Sequence, residues 1–435
     1  MRDYGTVGIV LFFALWSLRR PWIGVLLWTW LSLLNPHRYA WGFAYDFPVA
    51  AIAAGCTLIG LLFTKDRQSP FKAAPPVILA VFIVWMTVSW LMGLDPADDH
   101  PQWDKVMKIM LMVLVGLALL RTKAQIFAYA WVVAGSLALL GAKGGLFTIM
   151  SGGGDRVYGP PGTFIQENNA LGLALVMTIP LLRFLQMQLT HKWGVRAMTV
   201  MMVLIAASAL GSHSRGALLA IAAMTIMLWW RSEKKLAGGV AIALIGLALV
   251  AFMPDNWSDR MATIGDEQAD DSVMGRFSAW WVAWGIGWHY PFGVGFNASR
   301  PELFAAYSPY PQFGTPAAHS IYFQVLGHHG FIGLFIYIAF WVTTWRVAAK
   351  LRKDAQRIPE ARWCGDLGAM CQVSLAGYFV GGAFLSLSYF DLPYNVMALL
   401  VLARAWVSER AWEREPVPRP GWRTIPGLLR PVAAR

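Results

Sequence analysis

A histidine stands at the entrance to a long apolar segment, in the stretch "PAAHSIYFQVLGHHG" (316–330). The ordinary pKa of histidine lies near neutral pH, so His319 is suited to take a proton from a hydroxyl group. The alternative is that His319 is an ordinary residue at a helix start. His328 and His329 follow roughly three helical turns deeper, and packing with polar contacts inside a bundle is the favoured interpretation for them.

A first arginine of interest lies in "GSHSRGA" (211–217), between two apolar runs. Arg215 could be a basic turn residue whose long side chain reaches the lipid headgroups. A charge held near hydrocarbon is costly, however, and such residues often have a functional role. Ser212 and Ser214 add short hydrogen-bond donors beside it, which favours an anion-binding turn.

A second arginine lies in "SVMGRFSAWWVAWGIGWHYPFGVGFN" (272–297), which predicts a helix beginning at Arg276. A guanidinium group can bind phosphate oxygens in a bidentate manner, and a helix N-terminus adds backbone donors. Trp280, Trp284 and Trp288 recur along one face of this helix, as expected of residues that anchor a helix at a membrane interface. The acidic residues upstream predict a solvated loop: Asp266, Glu267, Asp270 and Asp271.

The composition indicates which elements must position these residues. Of the 435 residues, 57% are hydrophobic and 14% are charged, whereas soluble domains carry about 25% charged residues. A membrane-spanning helix needs roughly 20 mainly apolar residues, and runs of about that length recur. The sequence therefore predicts an all-α, polytopic helical membrane protein with about twelve or thirteen spans. The candidate spans are 5–18, 22–35, 46–63, 75–94, 105–121, 124–142, 168–188, 196–210, 216–230, 236–253, 320–346, 364–387 and 392–408.

The basic residues predict the orientation of the spans. They recur in every second short loop, which is the pattern of cytoplasmic loops. The segments assigned to the outer face are 35–45, 95–104, 143–167, 211–216, 254–319 and 388–391. We expect a membrane bundle over 1–253, a catalytic periplasmic loop with short helices over 254–319, further transmembrane helices over 320–408 and a cytoplasmic tail over 409–435.

The remaining features exclude several classes of function. The net charge of +12 follows topology, so it indicates membrane lipids and not a nucleic-acid partner. No His/Cys/Asp/Glu spacing predicts a metal site, and Cys56, Cys364 and Cys371 do not form a disulfide pattern. "GPPGT" (159–163) lacks the lysine of a phosphate-binding loop, and "GVGFN" (293–297) has no βαβ context, so both predict turns. Paired broken spans typical of many carriers are missing, which argues against a transporter.

Four motifs in this order resemble the O-antigen ligase and polymerase superfamily of membrane glycosyltransferases (the WaaL/Wzy family). The resemblance covers roughly 156–333. The motifs are "GTFIQENNALGLAL", "SHSRGA", "GRFSAW…PFGVGFN" and "HSIYFQVLGHHGFIGL". The amino-terminal "RRPWIGVLLWTWLSLLNPHRYAWGFAYDFPVA" resembles O-glycosylation ligases associated with exosortase systems. The chain departs from the family pattern at Ser320, where asparagine is usual, and at His328 or His329, where an acidic residue is usual.

The resemblance implies an enzyme of the bacterial inner membrane with a periplasmic active site. Arg215 and Arg276 would bind the pyrophosphate of an undecaprenyl-pyrophosphate-linked glycan, His319 would be the general base, and Asn169 would line the site. The acceptor would be the lipid A-core oligosaccharide, and no cofactor is implied.

We expect direct displacement with inversion at the anomeric carbon, and two arginines in place of a divalent ion. Asp391, in "YFDLPY", could orient His319 or an arginine, although a plain turn is the simpler interpretation. The alternatives are an O-antigen polymerase, a protein O-oligosaccharyltransferase with the same donor, a lipid-glycan transporter and a structural scaffold.

Overall fold

The structure, a computed structural model, describes residues 2–231 and 271–415, together with isolated positions between 235 and 247. No β-strand occurs in these residues, so the expected all-α class is confirmed. The helices are α1 (Arg2–Arg19), α2 (Pro21–Leu34), α3 (Val49–Phe63), α4 (Ala74–Leu91), α5 (Pro96–Leu119), α6 (Lys123–Met150), α7 (Asn168–Met187), α8 (Lys192–Gly211), α9 (Arg215–Arg231), α10 (Asp271–His289), α11 (Pro301–Tyr307), α12 (Ile321–Ala355), α13 (Arg362–Gly382) and α14 (Asp391–Ser408), with 3-10 turns at Pro36–Tyr39, Phe43–Tyr45, Pro311–Phe313, Pro359–Ala361 and Ala411–Glu413.

The predicted spans correspond to helices throughout the described residues. Each coincides with one helix, although α5, α6 and α12 extend further than predicted, and span 236–253 lies mostly outside the described positions. Five helices are long and apolar enough to cross a membrane, namely α4, α6, α7, α8 and α12, while α2, α3 and most of α9 are shorter apolar helices. The protein is a multi-pass membrane protein; the full number of spans stays a prediction.

The polar segments between helices gather at two opposite ends of the bundle. The segments predicted to be external meet at one end, which we call the loop end; those predicted to be cytoplasmic meet at the other, the basic end. Hydrogen bonds at the loop end include Leu94 N to Val294 O (3.2 Å), Val157 N to Gly211 O (3.1 Å) and His319 N to Ser386 Oγ (2.9 Å). Hydrogen bonds at the basic end include Gln68 Nε2 to Leu120 O (2.9 Å), Gln188 Nε2 to Asp366 Oδ2 (2.9 Å) and Lys123 N to Glu415 Oε1 (2.9 Å).

A break in α12 fixes the position of the long loop against the bundle. Gly330 has φ 67° and ψ −174°, which interrupts the helix. A Cβ at Gly330 would lie 2.8 Å from the carbonyl oxygen of Pro291, so a larger residue would push the loop away. Gly295 N also donates to the carbonyl of His328, which the break leaves available, at 3.1 Å. The loop therefore packs into the broken helix.

The predicted catalytic loop 254–319 is more helical than expected. Its first part, 254–270, lies outside the described residues, and the remainder contains α10, α11 and a 3-10 turn. Helix α10 has 19 residues and packs along α12 through stacked and edge-on aromatic rings. The tail from 409 is described only as far as residue 415.

Candidate active site

His319 has an unusual backbone conformation. Its φ is 43°, in the left-handed region, which is uncommon for residues other than glycine and is enriched at functional sites when it occurs. Its N–H donates to Ser386 Oγ at 2.9 Å. Two residues further on, the carbonyl of Ile321 accepts a hydrogen bond from Ser388 Oγ at 2.9 Å. The segment between α13 and α14 therefore holds His319 where α12 begins.

That segment is itself anchored by hydroxyl and amide groups from three helices. Tyr378 donates to the carbonyl of Leu387 (3.1 Å), and Tyr394 donates to the carbonyl of Ser388 (2.6 Å). Gln324 Oε1 accepts from both Ser388 N (3.1 Å) and Ser388 Oγ (2.8 Å). Because these groups are mostly buried, their hydrogen bonds resist exchange with water and fix the support of His319.

Helix α10 contacts the chain both before and after His319. A Cβ at Gly275 would lie 3.6 Å from Pro316 Cγ, and the Trp280 indole N–H donates to the carbonyl of Ala318 at 2.7 Å. The Trp280 ring also stacks on Phe323, with centroids 4.8 Å apart. Trp280 is thus a tether for the chain around His319, a contact that the sequence did not predict; its role as an interface anchor stays a prediction.

Trp284 and Trp288 differ from Trp280. Both are exposed and contact Phe331 edge-on, so they fit the interface role that was expected of them.

The start of α10 corrects the expected setting of Arg276. The helix begins at Asp271, so Arg276 lies in the second turn and its guanidinium does not share a helix N-terminus. The side chain is half-buried. Instead, Arg276 lies near His319, and the two side chains interact electrostatically.

The electrostatic environment keeps His319 neutral. Its side chain is exposed to solvent, yet enough protein atoms lie near it to reduce its hydration. Desolvation by these atoms, followed by the positive charge of Arg276, lowers the pKa of His319 below its usual 6.5, and the carboxylate of Glu167 partly opposes this. A neutral imidazole next to a fixed positive charge is suited to accept a proton from a substrate while the cation binds an anion.

Arg215 is the first residue of α9 and is half-buried. The turn before it contains a second left-handed residue, His213 (φ 53°), whose Nε2 lies 2.9 Å from the carbonyl of Gly153. Ala217 N donates to Ser214 Oγ at 3.1 Å, which satisfies a donor of the first helical turn. Ser212 and Ser214, the two predicted donors, form hydrogen bonds within the turn itself. Ser214 Oγ caps α9, and Ser212 Oγ donates to the carbonyl of Ala209.

The same turn lies next to the support of His319. A Cβ at Gly216 would lie 3.7 Å from both the carbonyl of Gly381 and Phe384 Cβ. These residues precede Ser386, which binds the backbone of His319. The structure therefore places Gly216, the residue after Arg215, and His319 against the same stretch of chain, from Gly381 to Ser386.

The start of α7 completes the site. Asn169, expected to line it, is half-buried in the first turn. Its neighbour Asn168 is buried and donates to the carbonyl of Ser212 at 2.6 Å, which ties α7 to the turn of Arg215. Glu167, whose charge acts on His319, was missed by sequence reasoning, although it stands inside the "IQENN" motif.

Two parts of the chain match known protein families. Residues 200–338 match the family model described as O-antigen ligase, a region that contains Arg215, Arg276 and His319. This part of the chain is therefore similar to the O-antigen ligase family. Residues 1–190 match a different family, of unknown function (DUF5935). The search of curated proteins finds no match.

Three other candidate residues are buried in the structure: His328, His329 and Asp391. His328 Nδ1 and His329 Nε2 lie 2.9 Å and 2.7 Å from the hydroxyl of Tyr389, and all three side chains are buried, as the packing interpretation predicted. Asp391 is buried and is the first residue of α14, where it accepts a hydrogen bond from Ser32. Its expected place in a plain turn was therefore wrong, and its contact is with Ser32.

A buried ion pair attaches the loop between α10 and α11 to α5, and sequence reasoning missed it. Arg300 Nη2 lies 3.2 Å from Asp99 Oδ1 and 3.5 Å from Asp98 Oδ2. Asp99 Oδ2 also accepts from the N–H of Phe296 at 2.7 Å. The side chain of Asp99 is 0% exposed, so the contact fixes the loop that leads to the site.

Replacing Arg300 with alanine is expected to destabilise the protein. The buried carboxyl of Asp99 would lose its cation, and an unsatisfied buried polar group costs about 1–3 kcal/mol. Thermal unfolding of the purified protein should therefore occur at a lower temperature. Lys108→Ala is the matched control, because its pair with Asp104 is exposed and such pairs contribute little. Equal unfolding temperatures for the two variants would contradict the anchoring role.

Proposed function

We propose that this protein transfers a glycan from undecaprenyl pyrophosphate to a hydroxyl of the lipid A-core oligosaccharide. The observation that carries the proposal is that His319, which is exposed to solvent, lies close enough to Arg276 for the arginine charge to lower its pKa, within the region that matches the O-antigen ligase family. Arg276 and Arg215 bind the pyrophosphate of the donor. His319 faces the acceptor hydroxyl.

The proposed step is one displacement at the anomeric carbon. His319 removes the proton of the acceptor hydroxyl as its oxygen forms a bond to that carbon. The bond between the anomeric carbon and the pyrophosphate oxygen breaks, and its electron pair leaves with undecaprenyl pyrophosphate. Attack from the face opposite the leaving group inverts the configuration. Negative charge grows on the pyrophosphate during this step, so fixed guanidinium groups stabilise the transition state more than the ground state.

Glu167 adds a role that the sequence did not suggest. Its carboxylate opposes the effect of Arg276 on His319, so it favours the imidazolium form. That form exists only after the proton has moved. We infer that Glu167 stabilises the protonated base late in the reaction, while Arg276 and desolvation keep the base neutral before it.

The orientation in the inner membrane is part of the proposal. The loop end, which carries the site, would face the periplasm, and the basic end would face the cytoplasm. The basic end holds Lys72, Arg352 and Arg404, and an excess of lysine and arginine is typical of cytoplasmic loops. A lipid-linked donor supplies the energy of transfer in its own glycosyl–phosphate bond, so the periplasmic side needs no nucleotide.

A transfer assay tests the proposal. The purified protein is incubated with the lipid-linked glycan and, in separate reactions, with lipid A-core, a second lipid-linked glycan or a protein acceptor, each with and without EDTA. We expect glycan on lipid A-core in both buffers, because no group of three or more metal-ligating side chains occurs among the described residues. Transfer only to the second lipid-linked glycan would identify a polymerase, and transfer only to protein would identify a protein ligase. Movement of donor across liposomes without any transfer would indicate a transporter.

The pH dependence of transfer is expected to reflect His319. Protonation removes the base, so the rate should fall as pH falls through the pKa of His319. Because desolvation and Arg276 lower that pKa below 6.5, the acidic limb of kcat/KM should lie below pH 6.5. Initial rates at low donor concentration measure this. Arg276→Gln should move the limb to higher pH in the residual activity, and a wild-type limb above pH 6.5 would contradict the assignment.

A further inference from the structure

A second group of cations lies at the loop end, outside the site described above. Arg38 belongs to the 3-10 turn after α2, and its guanidinium lies over the ring of Tyr45, 4.7 Å from the centroid. A Cβ at Gly162 would be 3.7 Å from Arg38 Cζ. Arg38 therefore lies against the 159–167 turn, the segment that ends at Glu167.

Lys105, on α5, lies against the same turn. Its Nζ is 4.1 Å from the centroid of the Phe164 ring, and it interacts electrostatically with Arg38 and Asp391. Lys143, on α6, is exposed and lies 4.8 Å from the centroid of Tyr39, the residue that follows Arg38. We call Arg38, Lys105 and Lys143 the second basic cluster.

The cluster has no carboxylate in ion-pair contact within the described residues. None of its three members occurs among the ion pairs found there. Asp391 is the acidic group near Lys105, and its carboxylate is already bound by Ser32. Arg38 and Lys105 are both half-buried. Like charges that are partly removed from water repel each other and lose hydration, so a bound anion would stabilise this arrangement.

The cluster adjoins the active site through two chain segments. The 159–167 turn contacts Arg38 and Lys105 near its middle, through Gly162 and Phe164, and presents Glu167 to His319 at its end. The segment between α13 and α14 supports His319 through Ser386 and ends at Asp391, beside Lys105. A ligand on the cluster would therefore lie against the same two segments as His319, on residues other than Arg215 and Arg276.

The cluster also lies in a different part of the sequence from the site. All three cations belong to residues 1–190, which match the family of unknown function, whereas Arg215, Arg276 and His319 lie in the O-antigen ligase match. In the proposed function the donor contacts and the base all come from the 200–338 region, so we assign a contact from the first region to the acceptor.

We propose that the second basic cluster binds a phosphate group of a lipid-borne acceptor. This inference rests on the proposed transfer function, because it assigns the acceptor side of that reaction. Arginine and lysine side chains are donors only, which suits phosphate oxygens. The cluster lies near the loop end of α2, α5 and α6, where the headgroup of a lipid with its tails in the bilayer would be within reach.

Binding of lipid A to the purified full-length protein tests the inference. The probes are lipid A with its phosphates, dephosphorylated lipid A and inorganic pyrophosphate, and the variants are Arg38→Gln, Lys105→Gln and Lys143→Gln. Loss of one charged contact should weaken the binding of phosphorylated lipid A by about tenfold for Arg38 and Lys105, and less for the exposed Lys143. Lys108→Gln is the matched control: it lies one turn along α5 and pairs with Asp104.

The outcomes separate this inference from the proposed function. Weaker binding of phosphorylated lipid A in the cluster variants, with unchanged binding of dephosphorylated lipid A and of the lipid-linked donor, supports the site. Unchanged binding of phosphorylated lipid A, or a loss of donor binding instead, overturns it. Inorganic pyrophosphate bound as tightly as lipid A would overturn the lipid assignment. If the wild type binds lipid A through the cluster but transfers no glycan to any acceptor, the transfer function fails while the site stands.

Discussion

Replacing His319 with alanine is expected to abolish glycan transfer while donor binding and folding persist. The proposed base accepts the acceptor proton, and general-base catalysis contributes about 10²–10⁴-fold to a rate. Arg215 and Arg276 remain in the variant, so the pyrophosphate should still bind. Transfer per folded molecule, donor affinity and protein level, measured on the same preparation, check this result.

The unusual backbone of His319 requires a second variant. Alanine lacks the enrichment that histidine and asparagine show in the left-handed region, so placing it at a φ of 43° is expected to lower the yield of folded protein. Asparagine tolerates the left-handed region but cannot act as a base, so His319→Asn should fold and still be inactive. His289→Ala is the control, because His289 is an exposed histidine in the same region. Substantial transfer by folded His319→Asn would refute the base assignment.

The helices could be predicted because a membrane imposes one simple requirement. Backbone groups in lipid must bond within their own segment, so each apolar run of sufficient length becomes a helix. The distribution of basic residues then separated the loops into two sets, and the structure gathers each set at its own end of the bundle, as in the bonds His319 to Ser386 and Gln188 to Asp366. Which end faces the periplasm stays a prediction.

The geometry of the site depends on contacts between residues far apart in the sequence, which hydropathy does not encode. The predicted span 364–387 contained Ser386, yet α13 ends at Gly382, and the freed segment supports His319. The run through "GHHGFIGL" predicts a continuous helix, but Gly330 breaks it where Pro291 packs. Types of residue and their order predicted Arg215, Arg276 and His319 as site residues. They could not place Trp280 or Glu167, whose positions follow from packing.

Replacing either arginine with lysine is expected to reduce transfer strongly. Arg276 lies beside His319 and Arg215 begins α9 next to the segment that supports it, so each would bind the leaving pyrophosphate from a fixed position. Lysine keeps the charge but loses the planar, bidentate donor pair. Removing one donor to a developing anion costs about 10²–10³-fold in kcat, and we expect Arg215→Ala and Arg276→Ala to reach that range, with the lysine variants about tenfold or more below wild type.

The sharpest test of this prediction is whether the loss of transfer activity appears in kcat or in KM. A guanidinium that binds the donor equally in the ground and transition states would raise KM alone, whereas one that binds the growing charge lowers kcat. We expect kcat to fall in both arginine variants, because charge accumulates on the pyrophosphate as the glycosyl bond breaks. Arg196→Lys is the control, since Arg196 lies near the other end of α8, over the ring of Trp193. Near-normal kcat in both Arg215→Lys and Arg276→Lys at normal protein levels would show that the two arginines do not stabilise the leaving group.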